Sequence, residues 1–70
     1  MQPINLHSSV LLECTYDPQR QLLWIRFRTG ERYVYQMVPA HVVEALVQAS
    51  SQGQYFNSVI RPQFSFVRLS

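Results

Sequence analysis

The sequence predicts an α+β domain: a three-stranded antiparallel β-meander with one main α-helix packed on one face, a short second helix or turn, and an extended C-terminal tail. Three observations predict it. Residues 22–28 and 33–37 are period-2 runs of apolar and aromatic residues that meet at Thr29-Gly30. Val10 to Tyr16 alternates ahead of Asp17-Pro18, a type I turn signal with Asp at i and Pro at i+1. Val42, Leu46 and Ala49 recur at i, i+4 and i+7 between Pro39 and Gly53.

Along the chain, Met1 to Leu6 reads as a loosely ordered segment, and Ser8 and Ser9 as backbone-bonding residues before the first strand. In that strand Val10, Leu12, Cys14 and Tyr16 share one face and Leu11, Glu13 and Thr15 the other. An even loop pairs Cys14 with Leu23, Leu12 with Ile25 and Val10 with Phe27, whereas an odd one sets these apolar residues against Arg26 and Trp24. A two-residue loop at Thr29-Gly30 sets Arg28 opposite Glu31, Arg26 opposite Tyr33, Ile25 opposite Val34 and Trp24 opposite Tyr35; a four-residue loop preserves these faces. Leu23, Ile25, Phe27 and Val34 then form a core face. Trp24, Arg26, Arg28, Tyr33 and Tyr35 form the other, beside Leu11 and Glu13.

Pro39 suits a helix's first turn and Gly53 its end, with no side-chain cap ahead of Pro39. Val42, Leu46 and Ala49, flanked by Val43, Ala45 and Val47, cover the sheet, while Gln48, Ser50, Ser51 and Gln52 face water. Tyr55, Phe56, Val59 and Ile60 mark a short amphipathic helix stopped by Pro62. Phe64 to Leu69 alternates again, as a tail packed on the core or a fourth strand.

Seventy residues make one domain, 1–70, and 47% hydrophobic with 13% aromatic residues excludes a disordered chain. The single Cys14 cannot form an internal disulfide and no apolar run is long enough to span a membrane, so a cytoplasmic protein is expected. The net charge of +2 is a weak basic tilt, but all six basic residues are Arg, whose planar fork grips phosphate or carboxylate and stacks on rings.

Catalysis finds no support. Cys14 alternates with core residues as a small hydrophobe, and Ser8 and Ser9 lack a nucleophile elbow. His41 and Glu44, even with His7 and Cys14, lack the closely spaced ligand pairs of a structural zinc site, so neither metal nor cofactor is expected. Arg28 with Glu31 reads as a turn-flanking ion pair, and Asn57 with Arg61, one helical turn apart, as a helix-to-sheet tether. The candidate nucleic-acid-binding set is Trp24, Arg26, Arg28, Arg32, Tyr33, Tyr35 and Arg61: aromatic rings to stack unpaired bases and guanidinium groups to hold phosphates. The expected partner is RNA or another single-stranded nucleic acid. Two alternatives stand beside it: the tail covers this face, making the tyrosines core, or the same residues meet a partner protein, since Tyr, Trp and Arg also dominate interface hot spots.

Ser9 before the first strand, Tyr16-Asp17, Phe27-x-x-Gly30, Tyr33-x-Tyr35, Val38-Pro39, Gly53-x-Tyr55-Phe56-Asn57 and Ile60-Arg61 together resemble the KTSC family. This short domain occurs at the C-terminus of some lysyl-tRNA synthetases and as free-standing bacterial and phage proteins. The resemblance covers Ser9 to Arg61 and departs at Thr29, where Asn or Asp is more usual. It implies no established activity; its synthetase context suggests RNA binding.

Overall fold

In the computed structural model, which describes residues 2–70, five strands form one antiparallel sheet in the order β1-β2-β3-β4-β5. The strands are β1 (Ile4–Asn5), β2 (Leu11–Asp17), β3 (Leu22–Phe27), β4 (Arg32–Tyr35) and β5 (Phe66–Arg68). Helix α1 (Ala40–Gln48) is followed by α2 (Gln52–Tyr55), a π-helical segment (Phe56–Ile60) and α3 (Arg61–Gln63), and the last three run on without leaving helical backbone angles. The helices cover one face of the sheet. Leu11, Cys14, Leu23, Ile25 and Tyr35 from the strands are buried against Val42, Val43, Leu46, Phe56 and Ile60 from the helices.

The sheet is larger than the predicted meander because both chain ends add a strand. Ile4 pairs with Cys14 and Asn5 with Glu13, so this part of the expected loose segment is ordered; Met1 lies outside the described residues. The expected tail is β5, which pairs Phe66 with Tyr35, Val67 with Val34 and Arg68 with Tyr33.

The β2–β3 loop has the expected even length but lies one residue further along, at Pro18–Gln21. Asp17 Oδ1 accepts from the Gln19 and Arg20 N–H groups at 3.0 and 3.3 Å, and Gln21 closes the loop in the left-handed region at φ 56°. Partners therefore move by two, to Cys14 with Ile25 and Tyr16 with Leu23, a shift that preserves the faces. A register irregularity between Leu11 and Glu13 then inverts the phase. Leu11 goes into the core, where alternation had put Leu12, and Val10 is exposed.

The β3–β4 hairpin differs more. Its loop is Arg28-Thr29-Gly30, three residues: the Phe27 N–H donates to the Glu31 carbonyl at 2.9 Å, and the Gly30 N–H to the Phe27 carbonyl at 2.9 Å. Gly30 holds φ 98°, the left-handed position of a turn-plus-bulge hairpin. The expected two-residue loop requires φ > 0 at both central residues, which β-branched Thr29 resists. The odd loop flips the pairing to Leu23–Tyr35, Trp24–Val34, Ile25–Tyr33 and Arg26–Arg32. Tyr33 and Tyr35 thereby turn toward the helices, and Val34 joins Trp24 on the open side.

Helix α1 starts at Pro39 with no side-chain cap bond, as expected, but ends at Gln48 rather than at Gly53. Ser51 instead caps a new helix by accepting from the Gln54 N–H at 3.3 Å. Gly53 lies inside that helix, where a Cβ would come within 3.3 Å of Ser8 Oγ. Gln52 does not face water. It is 4% exposed, accepts from the His7 N–H at 2.6 Å and donates to the Val47 carbonyl at 3.0 Å, satisfying two backbone groups beneath the helix break. Pro62 does not stop the second helix. A proline ring ordinarily clashes with the carbonyl four residues back, and the widened π turn just before it, with the Arg61 N–H bonded to the Phe56 carbonyl, relieves that clash.

Candidate nucleic-acid interface

The seven predicted residues do not share one surface. Trp24, Arg26 and Arg32 lie on the open sheet face, whereas Arg28, Tyr33, Tyr35 and Arg61 line a cleft on the helix side. The split follows from the three-residue hairpin loop.

On the open face, Arg26 Nη1 lies 3.8 Å from Glu13 Oε2 across the β2–β3 pair, and Arg32 Nε donates to Ser70 Oγ at 3.0 Å. Trp24 is half-buried beside them. Val34, with Val67 and Leu69 at 48% and 47% exposure, completes a face more aliphatic than the predicted tyrosine platform.

The cleft has a volume of about 350 Å³ and opens between the β3–β4 loop and the second helix, with Ser9, Phe27, Arg28, Tyr33, Tyr35, Arg61 and Phe66 in its wall. Its floor is aromatic. Phe27 meets Tyr33 edge-on at 5.4 Å between centroids, Tyr33 stacks near-parallel on Tyr35 at 6.4 Å, and Tyr35 meets Phe56 edge-on at 5.5 Å, so the rings brace one another in favoured geometries. At 2% exposure the Tyr35 ring is core, as the covered-face alternative held, and it cannot stack a base. The cover comes from Phe56 and the β5 residue Phe66, whose own ring is half-exposed. Burial raises the Tyr35 phenol above its ordinary pKa; Arg61 partly opposes the shift and Tyr33 adds to it.

Arg28 reaches the cleft from the hairpin loop, its Nε donating to the Ser8 carbonyl at 2.6 Å, and Ser8 Oγ accepts from the Val10 and Leu11 N–H groups, as expected of a strand-start serine. Glu31 pairs with Arg68 at 3.1 Å, not with Arg28, because the bulged loop turns the two apart. Arg61 arrives because the preceding turn is π-helical. A five-residue repeat sets Arg61 above Phe56, where an α-helical turn would swing it away. Its Nη1 donates to Asn57 Oδ1 at 3.2 Å, so this pair is tied together within the helix rather than to the sheet. Sequence reasoning missed Phe66 and Ser9 as site residues. Their signals were the alternation of the last segment, which makes it a strand, and the serine at the start of the first.

Cys14 is buried, and its thiol is pushed up to about 11, first by burial and then by the neighbouring Glu13 carboxylate. It is expected to resist thiol reagents at mildly alkaline pH and to react at once in denaturant, measured by thionitrobenzoate release. Fast labelling of the native protein would mean the strand opens. Among the described residues no helix is long and apolar enough to cross a membrane, and no three His, Cys, Asp or Glu residues gather as a metal site.

Comparison with known proteins gives this cleft a context. The chain is 44% identical over 63 residues to an uncharacterized protein of Stutzerimonas stutzeri, covering 90% of this chain and 89% of that one. It is 42% identical over 62 residues to a lysine–tRNA ligase of Nostoc punctiforme, covering 89% of this chain but 11% of the ligase. Among solved structures, a KTSC domain protein from Yersinia pestis superposes with a TM-score of 0.93 at 32% identity, covering 99% of this chain and 97% of that chain. The KTSC domain model matches residues 7–64. With the hairpin, the π turn and both added strands inside or flanking that match, the chain belongs to the KTSC domain family.

Proposed function

We propose that this chain is a small nucleic-acid-binding accessory module that takes single-stranded RNA at the helix-side cleft and performs no catalytic step. The observation that carries this reading is the meeting of two guanidinium groups, Arg28 and Arg61, with the aromatic rings of Tyr33 and Phe66 in one concavity. Single-strand binders combine the same two elements, cations for phosphate and rings for bases. The similarity to a stretch of a lysine–tRNA ligase supports it, since that enzyme's name places RNA within reach of such a domain. In this reading Tyr33 and Phe66 offer ring surface and Tyr35 supports them from below.

Fluorescence anisotropy with a short single-stranded RNA tests the proposal. Binding at low salt is expected to weaken on salt addition with a log–log slope of about −0.7 for each phosphate charge neutralised on a single strand. Arg61→Gln is expected to remove about one such increment of the slope. No binding at low salt would sink the proposal.

The exposed aliphatic pair Val67 and Leu69 beside Trp24 favours a second reading, a protein partner on the open sheet face. Such a contact would be mainly apolar and nearly insensitive to salt.

A further inference from the structure

A buried tyrosine ring ordinarily carries its hydroxyl to a hydrogen-bond partner. Even the half-buried Tyr16 does so, donating to the Val38 carbonyl at 2.6 Å. Tyr35 does not. Its ring is 2% exposed, yet among the described residues its hydroxyl meets no protein donor or acceptor, and no buried side-chain oxygen or nitrogen is left sealed without a partner. The hydroxyl is therefore not sealed, and the opening the structure offers it is the cleft that the residue lines. A core residue thus presents one unused polar atom to a concave site.

Around that atom stand groups with donors to spare. Arg28 spends Nε on the Ser8 carbonyl and Arg61 spends Nη1 on Asn57, leaving most of the five N–H donors of each guanidinium free of the protein. Glu31, the carboxylate in the wall, is engaged by Arg68 at 3.1 Å and by the Thr29 hydroxyl at 3.1 Å. The cleft therefore keeps an excess of positive charge. At about 350 Å³ it lies at the small end of ligand sites, the size for one small group rather than a run of bases.

Resting on the RNA reading above, we infer that the cleft is a phosphomonoester site for a single nucleotide, with the phosphate between Arg28, Arg61 and the Tyr35 hydroxyl and the base against Tyr33 and Phe66. A phosphomonoester carries about −1.5 to −2 charges near neutral pH and three strong acceptor oxygens, one for each of these three donors. An internal phosphodiester carries only one charge and two unbridged oxygens, a poorer match to three donors. A strand end and a free mononucleotide share the required chemistry.

Competition against an internally labelled single-stranded RNA tests the assignment with the full chain. The competitors are one unlabelled strand bearing a 5′-phosphate, a 3′-phosphate, hydroxyls at both ends or a circular closure, together with AMP and adenosine. A phosphorylated end is expected to compete roughly tenfold better than the hydroxyl-ended and circular forms, the scale of a charge-assisted contact. AMP is expected to compete where adenosine does not. AMP matching the best strand identifies the free mononucleotide as the source, and AMP falling short of it identifies a strand end. Tyr35→Phe keeps the buried ring, so it is expected to erase the phosphate preference at unchanged Tm. Equal competition by all forms would overturn the phosphomonoester site while leaving RNA binding standing. A preference that survives both Tyr35→Phe and Arg61→Gln would overturn it as well, and no RNA binding at all would remove both proposals.

Discussion

Tyr35→Ala is expected to destabilise the domain by about 3–5 kcal/mol, the range for deleting a large buried aromatic side chain. Tyr35 is paired across the sheet with Leu23 and Phe66, lies beneath Phe56, and stacks on Tyr33. Removing the ring leaves a void bordered by three aromatic groups on different elements, so no single shift of backbone can refill it. Small domains hold a total near the lower end of about 5–15 kcal/mol, and the variant should be largely unfolded at ambient temperature by circular dichroism. Arg26→Ala supplies the contrast. Its exposed 3.8 Å pair with Glu13 on the open face is worth less than about 1 kcal/mol, so the melting curve should barely move. A mild effect at Tyr35 would mean that its ring is not part of the core.

Leu46→Ala is expected to cost about 2–5 kcal/mol by the same cavity mechanism. Leu46 is fully buried near the end of α1, and its carbonyl accepts from the Ala49 N–H, where the helix stops. Its side chain fills the layer between α1 and the sheet, and the helix lacks a side-chain cap that could compensate by holding the first turn. Urea unfolding with an unchanged m-value and a lowered midpoint would be the signature. An unchanged midpoint would show that α1 presents another stripe to the sheet.

The stripe Val42 and Leu46 and the inward set Cys14, Leu23 and Ile25 were legible because periodicity reports burial wherever one face is apolar and the other polar. Around Tyr33-Val34-Tyr35 that contrast disappears. Both faces read as apolar, and only the parity of the preceding loop decides which goes inside. That parity depends on the φ of Gly30 and on Thr29 refusing the left-handed region, a backbone property invisible to hydrophobic alternation. The Leu11–Leu12 step failed for the same reason, since either residue can fill a core position and the bulge chooses between them. The seven candidate residues were thus drawn from both sides of the sheet. Trp24 and Arg26 stayed on the open face as read, and Tyr33 and Tyr35 were the ones that parity misplaced, turning with Arg28 and Arg61 into the cleft.

The π-helical turn from Phe56 to Ile60 bears on how members of this family should be aligned. Such a turn amounts to one surplus residue accommodated in an α-helix, so a relative shorter by one position there winds a regular helix with its arginine still above its phenylalanine, whereas a relative of equal length that wound a regular helix would carry its arginine about 100° around the axis. That relative could retain every motif letter and still lack the cleft's second cation. The winding between the Phe56 and Arg61 equivalents, more than residue identity within it, therefore separates homologues that inherit this cleft from those that inherit the fold alone.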